Sequence, residues 1–173
     1  MDIGFSVSGA DPGVFLARER GHILILAVHV DDCVIIGSSP ELIKDFKMKL
    51  NNRYALMDLG PVQWLLGIKV MRNCEVRIIS LSQEGYIALI LERFSLQGAK
   101  AVDTPMLPLV SYSKWDCPAN DTKGEHMARV PYREVIGSLM YASITTCPDI
   151  TFAVSTLSQF LNNLGEAHWE AVK

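Results

Sequence analysis

No stretch of this sequence approaches the roughly 20 consecutive apolar residues needed to cross a bilayer. The longest apolar run, Ile23 to Val28, stops at His29 and two aspartates, which excludes a membrane span. The N-terminus, Met1-Asp2-Ile3-Gly4-Phe5, carries an acid where a signal peptide would be basic, and no apolar core follows it, so secretion is not expected. Cysteine is sparse: Cys33, Cys74, Cys117 and Cys147 are far apart and form no C-x-x-C pair. Neither a zinc ribbon nor a disulfide framework is suggested, and isolated thiols in a reducing compartment are the expectation. Positive charge is not in excess, with 16 Lys and Arg against 19 Asp and Glu and a net charge of -3. The chain therefore lacks the basic stripe of a protein that holds phosphate backbones by charge alone. No internal repeat and no low-complexity tract is visible.

What is present is ample apolar surface. Of the 173 residues, 49% are apolar and 20% charged, which removes intrinsic disorder and suffices for one full core, or a core with a small second lobe. Val14-Phe15-Leu16-Ala17 reads as a strand leading into a charged turn at Arg18-Glu19-Arg20-Gly21. Ile23 to Val28 follows, continuous in apolar character and rich in branched side chains, the pattern of a strand covered on both faces. A second run, Cys33-Val34-Ile35-Ile36, ends at Gly37, with only His29-Val30-Asp31-Asp32 between the two. This predicts a hairpin with acids at or beside its tip.

Ser39 can cap a helix that Pro40 and Glu41 open, and Leu42, Ile43, Phe46 and Leu50 fall on one face of it. The helix is expected to end near Asn51-Asn52. After the turn at Gly60-Pro61, Trp64 to Val70 and Val76 to Ser80 read as two strands of a second hairpin, joined around Asn73. Ser82 can cap a further helix with Tyr86, Ile87, Ile90, Leu91 and Phe94 as its stripe. From Gly98 to Arg129 periodicity disappears, and Pro105, Pro108, Pro118, Asn120, Asp121 and Gly124 mark an irregular linker. Pro131 opens a third helix striped by Tyr132, Val135, Ile136, Leu139 and Met140. Pro148-Asp149 opens a fourth running to Asn162-Asn163, and a fifth spans Glu166 to Lys173.

Asp31-Asp32 needs a chemical explanation. Adjacent carboxylates repel and lose hydration unless something neutralises them. Two readings are open: a merely solvated turn, since aspartate is a common turn former, or a site for a hard divalent cation, which takes one or two carboxylates plus substrate phosphates. Other candidates carry less. His22, His29, His126 and His168 show no metal-ligand spacing, and Ser138 lacks the G-x-S-x-G context of a hydrolase nucleophile.

The flanks favour the second reading. His29-Val30-Asp31-Asp32, after an apolar strand and before Cys33-Val34-Ile35-Ile36-Gly37, resembles the Tyr-Val-Asp-Asp box of copia-type retrotransposon reverse transcriptases. The likeness runs along the whole chain. Phe5 to Phe15, with Ser6, Ser8 and Asp11, is similar to the stretch before the box, and Asp58-Leu59-Gly60 with Leu66-Gly67-Ile68 to the D-L-G-x-x-x-x-x-L-G-I signature. Leu81-Ser82-Gln83 with Tyr86-Ile87, and then Thr104-Pro105, match the next blocks. Pro131-Tyr132-Arg133, Ile136 to Tyr141, Pro148-Asp149-Ile150 and His168-Trp169 resemble the region after the polymerase. The chain departs from the family at His29, where tyrosine is usual, and at Cys147, where arginine is usual. The family's fingers, its first metal-binding aspartate and its template-positioning block would precede Met1; Asp2 and Asp11 lack the surroundings of that aspartate.

The resemblance implies an α+β chain: a partial polymerase palm, an antiparallel sheet with packed helices, followed by a helical thumb-like and connection-like segment. Residues 1–97 would be the partial palm with a primer-grip-like hairpin and thumb-like helix, 98–130 an irregular linker, and 131–173 a helical connection toward a ribonuclease H domain. It implies that Asp31 and Asp32 are catalytic and bind Mg2+ or Mn2+ in the complete enzyme, while His29, Trp64, Gly67 and Lys69 are weaker candidates for primer contact. Partners would be an RNA template, a DNA primer, deoxynucleotides and the remainder of Pol, in the cytoplasm or a virus-like particle, without a membrane. The chain alone is expected to be inactive. The competing expectation is a non-catalytic remnant that acts as a protein-interaction module through apolar surface left uncovered.

Overall fold

The computed structural model describes residues 4–19, 21–106, 110–118 and 121–173. Asp2, Arg20, Pro108 and Asn120 lie outside the described residues. The chain divides into two compact units, Met1–Val62 and Gln63–Lys173, and both mix antiparallel strands with helices, the α+β class that the sequence implies.

In the first unit, β1 (Ser6–Val7), β2 (Val14–Glu19), β3 (His22–His29) and β4 (Asp32–Gly37) form one antiparallel sheet in chain order. Helix α1 (Pro40–Arg53) crosses one face. Its start follows from local chemistry: Ser39 Oγ accepts the Leu42 N–H at 3.4 Å, and Pro40 occupies the first turn, where its missing N–H is no loss. Leu42, Phe46 and Leu50 descend from α1 onto Leu24 and Leu26, with Phe15, Ala17, Val28 and Ile35 packed around them. Each fully buried side chain of this size contributes about 1.5–3 kcal/mol. The opposite face is not covered in the same way. Leu24 and Leu26 are buried whereas Ile23 is 46% exposed, so β3 is covered on one face, not on both as its continuous apolar run suggests. The D-L-G segment closes the unit: Asp58 accepts from Lys47 Nζ at 2.8 and 2.9 Å and from the Gly60 N–H at 3.0 Å. Those bonds, the lysine's foremost, hold the Asp58 carboxyl below its ordinary pKa.

The second unit opens with β5 (Trp64–Leu65), β6 (Ile68–Asn73) and β7 (Ile78–Ser82), again antiparallel and in chain order. The stretch Trp64 to Val70 is thus two strands broken at Leu66-Gly67, and the expected two-stranded hairpin is a three-stranded sheet. Both turn residues have positive φ, 51° and 78°, a conformation that glycine adopts freely and leucine only under constraint. Helix α2 (Glu84–Arg93) follows, with Ser82 in β7 while its hydroxyl accepts the Glu84 N–H at 3.3 Å.

Within 98–130 the structure holds a short 3-10 turn, Lys114–Asp116, and helix α3 (Asp121–Met127), more order than the loss of periodicity suggests. Helix α4 (Tyr132–Thr145) is close to the length expected. After a 3-10 turn at Pro148–Ile150, α5 (Thr151–Ser158) stops short of Asn162, and α6 (Glu166–Val172) ends the chain. The core of this unit is Tyr132, Ile136 and Leu157, with the Tyr132 hydroxyl donating to the Leu157 carbonyl at 2.8 Å. Burial pushes that hydroxyl's pKa up to about 12. Fully buried His168 stacks on Phe160 at 3.9 Å and accepts the Gly165 N–H on Nδ1 at 2.9 Å. A Cβ on Gly165 would collide with the Asp116 carbonyl oxygen, so only glycine allows this approach. The second unit gathers residues 63–97 with the helices because Tyr86 of α2 meets Tyr141 of α4 edge to face at 5.1 Å and donates to the Ser138 carbonyl at 3.3 Å.

Candidate functional site

The register of β3 and β4 places Val28 opposite Cys33 and His29 opposite Asp32, leaving Val30 and Asp31 as a two-residue turn. Two-residue turns match strand twist only with positive φ at the first central residue, where glycine or asparagine is usual. Here that residue is Val30, with φ of 54° and 83% of its surface exposed. A β-branched side chain in this region costs about 1–3 kcal/mol, and such a cost is typical of positions fixed for a purpose other than stability.

Asp31 and Asp32 are both exposed, and neither has a hydrogen-bond or ion-pair partner among the described residues. Strand alternation assigns faces. Leu24, Leu26 and Val28 face α1, so His29 and its cross-strand partner Asp32 share the opposite face. Asp11 lies in the loop whose Gly13 carbonyl accepts the Val28 N–H at 2.8 Å, but its own carboxylate is engaged by the Gly13 N–H at 2.7 Å. Among the described residues no group of three or more His, Cys, Asp or Glu side chains is gathered to hold a metal ion. Two uncompensated carboxylates with all their acceptor positions free suit a hard divalent cation in kind. They supply part of a coordination shell, not a whole one.

Trp64, Gly67 and Lys69 come together on the β5–β6 hairpin in the other unit. Trp64 pairs with Lys69, and Leu65 with Ile68, across the Leu66-Gly67 turn, so Trp64 and Lys69 share one face. Trp64 is 60% exposed and Lys69 is also exposed. An exposed aromatic ring beside an ammonium group can stack on a base while meeting a phosphate. Three side chains that matter here carried no sequence signal for it. The Tyr141 hydroxyl donates to the Leu66 carbonyl. Buried Gln83, just before α2, accepts from the Thr146 hydroxyl at 2.7 Å, which ties that end of the sheet to the end of α4. These contacts span 75 and 63 residues, beyond the reach of spacing arguments.

Residues 1–108 match the family described as reverse transcriptase (RNA-dependent DNA polymerase). The chain is 44% identical, over 95% of its length, to the retrovirus-related Pol polyprotein from transposon TNT 1-94 of Nicotiana tabacum. It is 34% identical over its whole length to the Pol polyprotein from transposon RE1 of Arabidopsis thaliana. It spans only 12% and 11% of those two polyproteins. It is also 30% identical, over 87% of its length, to an uncharacterized mitochondrial protein of Arabidopsis thaliana, of which it spans 58%. No solved structure matches it. Among the described residues no helix is long and apolar enough to cross a membrane.

Proposed function

The chain belongs to the reverse transcriptase family as a segment of a copia-type Pol polyprotein, and on that premise we propose that Asp31 and Asp32 are metal-binding, catalytic carboxylates of RNA-directed DNA synthesis. The observation that carries this reading is the pair itself: two exposed carboxylates without hydrogen-bond or ion-pair partners among the described residues, at a hairpin tip whose backbone conformation is costly. Divalent ions bound there, Mg2+ or Mn2+, would activate a primer hydroxyl and stabilise the leaving pyrophosphate. The chain's own part is to hold the two carboxylates in fixed relation at the hairpin tip, Asp31 in the turn and Asp32 at the start of β4, with His29 opposite Asp32 on the same face. Further ligands come from phosphate oxygens, water and an aspartate elsewhere in Pol.

In this assignment the first four strands and α1 belong to the palm, the β5–β6 hairpin with Trp64, Gly67 and Lys69 to the primer-contacting surface, α2 to a thumb-like element, and residues 131–173 to a connection toward ribonuclease H. Template RNA, DNA primer, deoxynucleotides and the rest of Pol are the partners, in the cytoplasm or a virus-like particle. Titration with Mn2+, followed by water-proton relaxation, tests the site on this chain. Weak binding that disappears when Asp31→Ala and Asp32→Ala are combined is expected, because two carboxylates leave most of the shell to water. Equal binding by both proteins would remove the site.

A second reading, a non-catalytic remnant acting as an interaction module, has two observations in its favour. The segment recurs in a relative less than twice its length, and the sheet face opposite α1 retains exposed Ile23 and Ile36. The genomic flanks separate the two: in-frame reverse transcriptase and ribonuclease H coding sequence favours the enzyme, and stop codons favour the remnant.

A further inference from the structure

The Leu66-Gly67 turn adopts a conformation that its own sequence does not favour. Turns with two positive φ values prefer Asn-Gly, and here the first position is leucine at φ 51°. At Gly67, with φ of 78°, an added Cβ would meet open space, so glycine answers a backbone requirement there. Leu66 has no such freedom. An unfavourable conformation persists only where the surroundings over-determine it, and the group that does so is the Tyr141 hydroxyl, which donates to the Leu66 carbonyl across 75 residues. Tyr141 is itself constrained. Its ring meets Tyr86 edge to face at 85°, the Tyr86 hydroxyl bonds the Ser138 carbonyl one turn earlier in α4, and α4 is seated in the core by Tyr132, Val135 and Ile136.

We propose that Tyr141 is a positioning residue: its hydroxyl locks the Leu66-Gly67 turn and so fixes the angle at which the Trp64 and Lys69 pair is presented to a primer strand. The inference rests on reading that hairpin as a primer-contacting surface. Trp64 and Lys69 form the second cross-strand pair from the turn, next to Leu65 and Ile68, so a change of twist at Leu66 swings both side chains together. The lock also makes the primer surface depend on α4, an element that has no part in the proposed metal site.

The test uses the whole chain with Tyr141→Phe, which keeps the ring and its contact with Tyr86 and removes only the donor. Amide hydrogen exchange over residues 66–69 should rise about tenfold, the equivalent of one modest hydrogen bond. Binding to a DNA primer annealed to an RNA template, measured at low salt, should weaken about three- to tenfold. Adding Leu66→Asn should restore both, because Asn-Gly holds this turn without help. Unchanged exchange in Tyr141→Phe overturns the lock. Faster exchange with unchanged binding overturns the positioning role, provided Trp64→Ala with Lys69→Ala weakens binding. If that double variant binds as well as wild type, the primer-contacting surface is what fails, while the exchange result still judges the lock.

Discussion

Both units carry a hairpin closed by two residues, with a non-glycine residue at positive φ in the first turn position, and they hold it in opposite ways. At the β3–β4 tip neither Asp31 nor Asp32 has a hydrogen-bond or ion-pair partner among the described residues, and the strands are fixed from behind by Leu42, Phe46 and Leu50. At the β5–β6 turn the strands are short and much of the sheet is exposed, with Met71, Ile78, Ile79 and Leu81 all open, while a tyrosine from a distant helix bonds the turn itself. On the proposed reading, a tip that receives a ligand must leave its polar atoms free, so its rigidity comes from the core beneath it. A surface meant to present side chains can be gripped at the turn.

The sharpest way to break this comparison is to remove the support of the first hairpin. Phe46→Ala should cost about 3–5 kcal/mol, since Phe46 is buried and also meets Phe5 at 4.6 Å between ring centroids. Hydrogen exchange should show protection lost over β3 and β4 well before it is lost over α4. The equivalent cut in the other unit is smaller. Tyr132→Phe keeps the ring and removes the hydroxyl donor to the Leu157 carbonyl, which still accepts the Phe160 N–H at 3.1 Å, a loss of about 0.5–1.5 kcal/mol measured by urea denaturation.

Relief of the first turn should act with the opposite sign. Val30→Gly removes a positive-φ penalty at an exposed position and should stabilise the chain by up to about 1 kcal/mol, raising the denaturation midpoint. A lower midpoint would show that Val30 is not strained. The smallest expected effect is of pH. Burial holds His168 below its ordinary pKa of 6.5, outweighing the pull of Asp116. The unfolded chain therefore takes up a proton before the folded one does. Stability is fully present above 6.5 and declines as pH falls from there toward the folded value. Thermal melts between pH 7.5 and 5 should show that decline for wild type and a flatter profile for His168→Asn.

Much of this was legible in the residues. An Asp-Asp pair between two apolar runs has one natural folding, and Ser39-Pro40-Glu41 marks the start of α1 by short-range chemistry alone. Legibility fails where long-range contacts decide. Trp64 to Val70 contains one turn signal, Gly67, and its break depends on a hydroxyl in α4. Phe160 and Leu161 continue the apolar stripe of α5 past Ser158, but the helix has ended there, and Phe160 stacks on His168 instead. The flanks single out the carboxylate pair as a candidate, whereas Tyr141 is not singled out, because nothing local to it mentions Leu66.

The central claim, that Asp31 and Asp32 act within a larger polymerase, is tested most directly by primer extension on an RNA template. Three proteins suffice: this chain, this chain fused in frame to the upstream reverse transcriptase segment of a related Pol polyprotein, and that fusion with Asp31→Asn. No extension by the first, extension by the second, and a loss of about a hundredfold or more in the third is the predicted pattern, since positioning and charge stabilisation both need ligands beyond these two carboxylates. Extension by the 173-residue chain alone, or by the Asp31→Asn fusion at the rate of its parent, would contradict it.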